Sequence, residues 1–364
     1  MAWKLLKLTP LKPFFFGKES VFTNTHYASS EYFPQQTQIT GALRLYWMEQ
    51  NGLMRITKTG KYVPIDKQKE AIKLVGDTGS QEYATKDNLG IIKQISPMFV
   101  LQMQNDCMED ALFELPSDIV EVDSQKSIAN PKILSSVSSS KPVVLLEDYS
   151  AKEGFVSGFG GSDFWEAYED HEASSIVFTH DDIYKPCEQV GIALKEEKQA
   201  DDGKFYTKKS YELKKDYAFG VLVNIDEDRV EEEGYRLLED GIISLGADAS
   251  MFKLEVGDIP AVLATHPVFL QLQNPYERKG TKLVLLSDSI LTKSIHDKAF
   301  FQIVKHKVPF KMIQGKKHGS QGAKTDETLL VPKGAVYYFS DKETLEKAKC
   351  AYKKMGFNYY LVLN

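Results

Sequence analysis

The residues best suited to catalysis or metal binding are seven histidines and three cysteines. His171, His180 and Cys187 lie close together in the sequence, but their spacing matches none of the Cys/His patterns that hold zinc. Two His-Asp dipeptides, at 180–181 and 296–297, are of the type found in metal-dependent phosphohydrolases, whose sites require further His and Asp ligands. Since no such ligands stand at an interpretable spacing, the sequence predicts neither a metal site nor a cofactor.

Motifs for nucleophilic chemistry or nucleotide binding do not stand out either. The segment 154–158, GFVSG, does not match the nucleophile elbow G-x-S-x-G. The glycines at 158, 160 and 161 do not complete a dinucleotide fingerprint, and the sequence contains no Walker A motif. We therefore expect a protein without catalytic activity of its own.

One segment that suits phosphate binding opens the first predicted helix. Thr40 is predicted to cap a helix from Gly41 to about Gln50, and Gln38 lies just before the cap. A helix N-terminus offers free N–H donors and a positive dipole end, and a glycine there permits close approach of a phosphate. Arg44, one turn along, would add a bidentate phosphate contact. The alternative reading is an ordinary capped helix with a surface arginine.

A second candidate is the basic segment 305–319, KHKVPFKMIQGKKHG, which contains a glycine turn and one aromatic residue, Phe310. Ammonium groups track phosphates and aromatic rings stack on unpaired bases, so this composition favours single-stranded RNA binding. A solvated hairpin tip is the competing interpretation. The candidate RNA contacts in this segment are Lys305, Lys307, Lys316, Lys317 and His318.

The charge distribution favours a polyanion site formed by the two ends of the sequence. The formal net charge of −6 argues by itself against a simple nucleic-acid binder. However, residues 1–61 carry a net charge of +5 and residues 258–364 carry +8, whereas residues 62–257 carry −19. This asymmetry leaves the acidic residues 62–257 for contacts with something other than a polyanion. For any single charged run, a solvated face is the simpler explanation.

The element pattern predicts an α+β fold. With 364 residues, two domains are expected. Alternating apolar residues predict strands at 3–8, 217–224 and 251–256 and a β-hairpin within 190–213. A helix is predicted from about 342 to 355.

The order of these elements predicts two ferredoxin-like (RRM-like) domains, with a large insertion in the first. Strand, helix, strand, strand, helix, strand fits residues 1–257 if 53–186 is an insertion. A compact second copy fits residues 258–364. Such domains are widely used to bind RNA.

Cysteine usage and hydropathy predict a cytoplasmic location without membrane contact. The three cysteines are too few and too scattered for a disulfide framework. No apolar run approaches the ~18 residues of a membrane span. Lysines and prolines interrupt the first fifteen residues, unlike the apolar core of a signal peptide.

Five stretches lie along nearly the whole chain: PFFFGKES (13–20), FPQQTQITGALR (33–44), SPMFVLQMQNDCMEDALFELPSDIV (96–120), VGIALKEEKQADDGKFYT (190–207) and VPKGAVYYF (331–339). Together, and in this order, they resemble one family: subunit three of the Cmr complex, the type III-B CRISPR effector, within the RAMP superfamily. The sequence departs from the family near LGADAS (245–250), where a second glycine and an arginine are usual, and at MGFN (355–358), which is less glycine-rich.

The resemblance implies a non-catalytic scaffold with two ferredoxin-like domains that helps to hold the 5′ tag of the CRISPR RNA. Its implied neighbours are the large polymerase/cyclase-like subunit and the first backbone RAMP subunit. The acidic insertion would then be free for protein contacts.

Two other functions stay open. Some RAMP proteins cleave repeat RNA without metal, using His, Tyr or Lys as general acid and base. His26 with Tyr27, or His318 with Lys317, would fill those roles here. The third hypothesis is an assembly subunit that never touches RNA.

Overall fold

The computed structural model describes most of the chain, and the remaining segments lie between the described ranges. The described residues are 2–17, 27–56, 62–64, 68–76, 89–123, 125–134, 143–147, 149, 154–172, 176–194, 200–246, 250–273, 280–291, 293–310, 328–343 and 350–364. Within these ranges no helix is long and apolar enough to cross a membrane.

Strands outnumber helices in the described part of the chain. The helices are α1 (Gln36–Gln50), α2 (Gln68–Val75), α3 (Ser162–Glu169), α4 (His180–Ile183), α5 (Glu227–Glu232), α6 (Ala261–Thr265), α7 (Pro267–Gln273), α8 (Lys293–Lys298) and α9 (Cys350–Lys354). The strands are β1 (Ala2–Pro10), β2 (Phe16–Gly17), β3 (Tyr27–Glu31), β4 (Met54–Ile56), β5 (Tyr62–Pro64), β6 (Ile92–Ile95), β7 (Phe99–Gln104), β8 (Cys107–Glu114), β9 (Ile119–Val122), β10 (Gln125–Ile128), β11 (Pro131–Leu134), β12 (Val143–Leu146), β13 (Phe159–Gly160), β14 (Tyr184–Leu194), β15 (Ala200–Leu213), β16 (Tyr217–Ile225), β17 (Gly241–Ser244), β18 (Met251–Asp258), β19 (Gly280–Leu285), β20 (Phe301–Ile303), β21 (Val308–Phe310), β22 (Thr328–Leu330), β23 (Val336–Glu343) and β24 (Tyr360–Leu363).

The chain divides into two compact units. The first contains Met1–Asp77, Leu89–Lys93 and Asp181–Asp258, and the second contains Gln94–His180 and Ile259–Asn364. The border after Asp258 lies one residue from the predicted border between 257 and 258. Residues 94–180 form a compact unit with residues 259–364, whereas the sequence order placed all of them in the insertion 53–186 of the first domain. Buried contacts between segments distant in the sequence determine which unit a segment belongs to. The order of elements along the chain does not reveal such contacts.

In the first unit, four strands form an antiparallel sheet in the order β16-β1-β18-β17. In β1, Leu6 and Leu8 are buried. Lys7 lies between them in sequence, and its ammonium is 3.2 Å from the carboxylate of Glu255 on β18. Alternation of this kind places successive side chains on opposite faces of the strand. The strands predicted at 3–8, 217–224 and 251–256 are confirmed as β1, β16 and β18.

A second sheet of the first unit has the order β14-β15-β3-β2. β14 and β15 form the predicted hairpin, which extends further along the chain than its apolar pattern indicated. β3 runs parallel to β15, with Tyr27 opposite Thr207, and pairs with β2 on its other side. Phe14, just before β2, forms a bridge to Tyr211 of β15. These pairings bring residues 14–17 and 27–31 against the base of the hairpin.

The second unit contains the strand group β13-β8-β7 and a four-stranded sheet in the order β20-β23-β19-β24. β23 continues through Glu343, which pairs with Gly280 of β19. The helix predicted to begin near Lys342 therefore does not begin there, because residues 336–343 are extended; the described C-terminal helix is α9. One core cluster of this unit consists of Leu283, Leu285, Ile295, Val331, Ala335, Tyr337 and Phe339.

These elements make a mixed α/β structure with mostly sheets and few helices among the described residues, in agreement with the predicted α+β class.

Candidate nucleic-acid interface

Helix α1 begins five residues earlier than its sequence indicated. The N-cap is Gln35, with extended φ −61° and ψ 145°, and the helix starts at Gln36. Gly41 thus lies inside the helix and not at its N-terminus, which corrects the predicted close approach of a phosphate at this glycine. Thr40 misled the prediction because threonine is a favoured cap. Within a helix its hydroxyl can instead bond to the carbonyl four residues back, and Thr40 Oγ1 donates to Gln36 O at 3.0 Å.

The side chain of Arg44 is buried in the interior of the first unit. Its side chain is only 7% exposed, and its Nη2 donates a hydrogen bond of 2.8 Å to the carbonyl oxygen of Gly76, which follows α2. Gln38, in the first turn of α1, is half-buried. A direct phosphate contact requires a guanidinium that faces solvent, so Arg44 acts on the fold: it ties α1 to the end of α2.

We expect Arg44→Ala to lower the free energy of unfolding by about 1.5–3 kcal/mol, because the change removes a charged buried hydrogen bond. RNA affinity of the folded variant should stay unchanged. Arg236→Ala is the matched control, since Arg236 is exposed and pairs at the surface with Glu239. Urea denaturation and RNA titration measure the two effects. Weaker RNA binding by an Arg44→Ala variant of unaltered stability would contradict this assignment.

The basic C-terminal segment is described only in part. Lys305 and Lys307 are exposed in the connection between β20 and β21. Phe310 is buried and packs against Phe357 with ring centroids 5.5 Å apart, so it is not free to stack on a base. The other predicted contacts of this segment, Lys316, Lys317 and His318, lie outside the described residues. α1 belongs to the first unit, and Lys305 and Lys307 belong to the second.

The first unit contains a basic and aromatic surface that the sequence did not reveal. Lys208 of β15 places its ammonium 4.9 Å from the ring centroid of Phe15, a cation–π distance. Tyr27 is 52% exposed and lies opposite Thr207 in the parallel pairing of β3 with β15. Because side chains alternate along a strand, Tyr27 projects from the same face as Thr207, and Lys208 projects from the other face. We call Phe15 and Lys208 the aromatic strip. A ring beside an ammonium suits an unpaired base and its phosphate.

Backbone contacts hold Phe15 in place from two sides. The preceding residue, Phe14, exchanges hydrogen bonds with Tyr211 of β15, at 2.8 Å and 3.1 Å. The amide of Phe15 donates to Ser250 Oγ at 3.1 Å. Gly246 has φ +94°, and a Cβ there would stand 2.7 Å from the carbonyl oxygen of Phe15. The motifs around 13–17 and 245–250 therefore meet in space, and glycine is required at the point of contact.

No group of three His, Cys, Asp or Glu side chains is placed to hold a metal ion within the described ranges. His266 is fully buried, with Nε2 3.0 Å from the carbonyl oxygen of Ala111, and burial lowers its pKa to about 4. His266 is therefore neutral at pH 7 and packs as part of the core.

The fold is one found in subunits of type III CRISPR effector complexes. A chain of the structure described as "Cryo-EM structure of the Type III-B Cmr-beta bound to cognate target RNA and AMPPnP, state 1" is similar at 15% identity, with a TM-score of 0.50 and coverage of 99% of this chain and 96% of that chain. A chain of "Crystal structure of Csm3-Csm4 subcomplex in the type III-A CRISPR-Cas interference complex" has 12% identity, a TM-score of 0.40 and 94% coverage of each chain. A search of the curated proteins gave no match.

The particular family follows from the sequence model. The model described as CRISPR-associated protein (Cas_Cmr3) matches residues 6–364, so the chain belongs to this family. The resemblance to subunit three of the Cmr complex is thereby confirmed.

Proposed function

We propose that this chain is a non-catalytic RNA-binding scaffold of the effector complex, which helps to hold the 5′ tag of the CRISPR RNA. The observation that carries the proposal is the aromatic strip, where the Lys208 ammonium lies 4.9 Å from the ring centroid of half-buried Phe15. Family membership supports the assignment, and the basic ends of the sequence fit a polyanionic ligand.

The proposal includes the partners and the layout of the subunit. It places the chain in the cytoplasm, between the large polymerase/cyclase-like subunit and the backbone RAMP subunit, with two ferredoxin-like domains as its framework. Lys305 and Lys307 are exposed and remain proposed RNA contacts, together with Lys316, Lys317 and His318, because basic side chains contribute affinity without base specificity.

The test compares Phe15→Ala with Phe15→Tyr in the assembled complex. Stacking on an aromatic side chain contributes about 1–3 kcal/mol per base, so Phe15→Ala should raise the Kd for single-stranded tag RNA about tenfold. Phe15→Tyr keeps the ring and should bind like the unmodified protein. Phe15 is half-buried, so urea denaturation of each variant checks that its fold is kept.

A further variant, Tyr27→Phe, separates the scaffold from the endoribonuclease hypothesis. A general acid or base needs the phenol hydroxyl, so cleavage of repeat RNA in EDTA that is lost in Tyr27→Phe would show that the chain is a nuclease. Equal RNA affinities of the unmodified protein, Phe15→Ala and Phe15→Tyr would show that RNA does not bind at the aromatic strip.

A further inference from the structure

An open cleft of about 200 Å³ lies in the first unit, where the end of β1 meets the end of β15. This volume is below the range of drug-sized sites, so the cleft accommodates a group of about the size of one base or one sugar-phosphate. The residues that line it are Thr9, Pro10, Leu11, Lys12, Glu212, Leu213, Lys214, Lys215 and Tyr217. We call it the Lys12 cleft.

The cleft has a surplus of positive charge. Lys12, Lys214 and Lys215 are all exposed, and Glu212 is the one acidic residue in the lining. The carboxylate of Glu212 is 3.6 Å from the ammonium of Lys185, which is not part of the lining. Three exposed lysines therefore line the cleft with a single carboxylate that already has a partner, an arrangement that attracts an anion.

The cleft walls favour a nucleotide over an acidic protein side chain. Leu213 and Tyr217 are half-buried and give the cleft an apolar and aromatic wall beside its lysines. A base has a π-face for such a wall and a phosphate for the ammonium groups, whereas a carboxylate would use the lysines alone.

The cleft also continues the aromatic strip. Lys208 and Glu212 lie on one face of β15, because side chains of a strand alternate. From Lys208 to Lys214 is a rise of roughly 20 Å along the chain, a distance that a short stretch of single strand can span. On these grounds, and resting on the RNA-binding function proposed above, we infer that the Lys12 cleft is a second RNA subsite that holds one nucleotide and its phosphate.

The experiment compares Lys214→Ala/Lys215→Ala with a control of equal charge change, Lys69→Ala/Lys298→Ala, whose lysines are exposed elsewhere. The assembled complex is titrated with single-stranded tag RNA over a salt series. For single strands, log K falls with log salt at about −0.7 per phosphate neutralised, so losing two contacts should flatten the slope by roughly 1.4. We expect affinity to fall about tenfold at low salt in the cleft variant, while the control pair keeps both slope and affinity.

Cross-linking identifies the occupant. RNA carrying 4-thiouridine should attach to the peptide that contains Tyr217 in the unmodified protein, and Lys214→Ala/Lys215→Ala should reduce that product. Equal slopes for the two double variants, or cross-linking of this peptide to another protein subunit, would overturn the inference. If Phe15→Ala weakens binding while the cleft variant behaves as its control, only the cleft inference fails. If the unmodified complex does not bind the RNA, the proposed function fails too.

Discussion

Replacing Lys282 with alanine is expected to lower the free energy of unfolding of the second unit by about 3–5 kcal/mol. Lys282 is 4% exposed on β19, and its ammonium lies 2.6 Å from a carboxylate oxygen of Asp118, which is 0% exposed. Removing one member of a buried ion pair leaves the other charge without compensation in a medium that solvates it poorly. The effect therefore exceeds that of ordinary surface substitutions.

Two tyrosines complete the environment of this ion pair. Tyr168 and Tyr338 each donate a hydroxyl hydrogen bond to the Asp118 carboxylate, at 2.9 Å and 2.7 Å. The Lys282 ammonium also lies 4.1 Å from the ring centroid of Tyr168. Burial lowers the pKa of Lys282, and the neighbouring Asp118 opposes that shift. The four side chains join residues 94–180 to the C-terminal part of the second unit.

Native-state hydrogen exchange of peptides from 280–285 measures the loss, since it reports the stability of this unit separately from the other. Lys282→Met with Asp118→Asn should cost less than Lys282→Ala alone, because it leaves no unpaired charge. Lys132→Ala is a control: Lys132 pairs with Glu147 at the surface, and its loss should change stability by less than about 1 kcal/mol. A loss for Lys282→Ala as small as that of the control would contradict the prediction.

The sequence predicted local elements better than it predicted their assembly. β1 and β16 were recognised because a half-buried strand alternates and a buried strand is continuously apolar. Asp118 and Lys282 gave no signal, because each is a single charged residue in an ordinary segment until the fold buries them together. For the same reason residues 94–180 looked like an insertion of the first domain.

At the candidate site too, local elements were predicted better than contacts between residues far apart in the sequence. Helix α1 itself was predicted, but its start was displaced because Thr40 suits both a cap and a helix interior. The aromatic strip was missed because Phe15 and Lys208 are far apart in the sequence and are joined by backbone pairing with β15. The three phenylalanines at 14–16 were recognised only as part of the family motif PFFFGKES (13–20). Their packing explains why they stand together.

Phe14 is the centre of that packing. Its side chain is 0% exposed, and its ring centroid lies 4.7 Å from that of Phe16 and 5.4 Å from that of Phe219. Tyr184 and Phe252 complete the group at 6.4 Å and 6.0 Å. Phe16 comes from the same segment as Phe14, and the other three rings lie on β14, β16 and β18. The Phe14 side chain therefore packs against both sheets of the first unit.

Phe14→Ala should therefore lower the free energy of unfolding of the first unit by about 3–5 kcal/mol, the cost of removing a phenyl ring from a packed core. Phe14→Leu keeps most of the volume and should cost less than about 1.5 kcal/mol. The amide of Tyr211, which donates to the carbonyl oxygen of Phe14, should lose hydrogen-exchange protection in the alanine variant. If alanine and leucine are equally tolerated, the ring does not organise this core, and Phe15 owes its position to the backbone pairing alone.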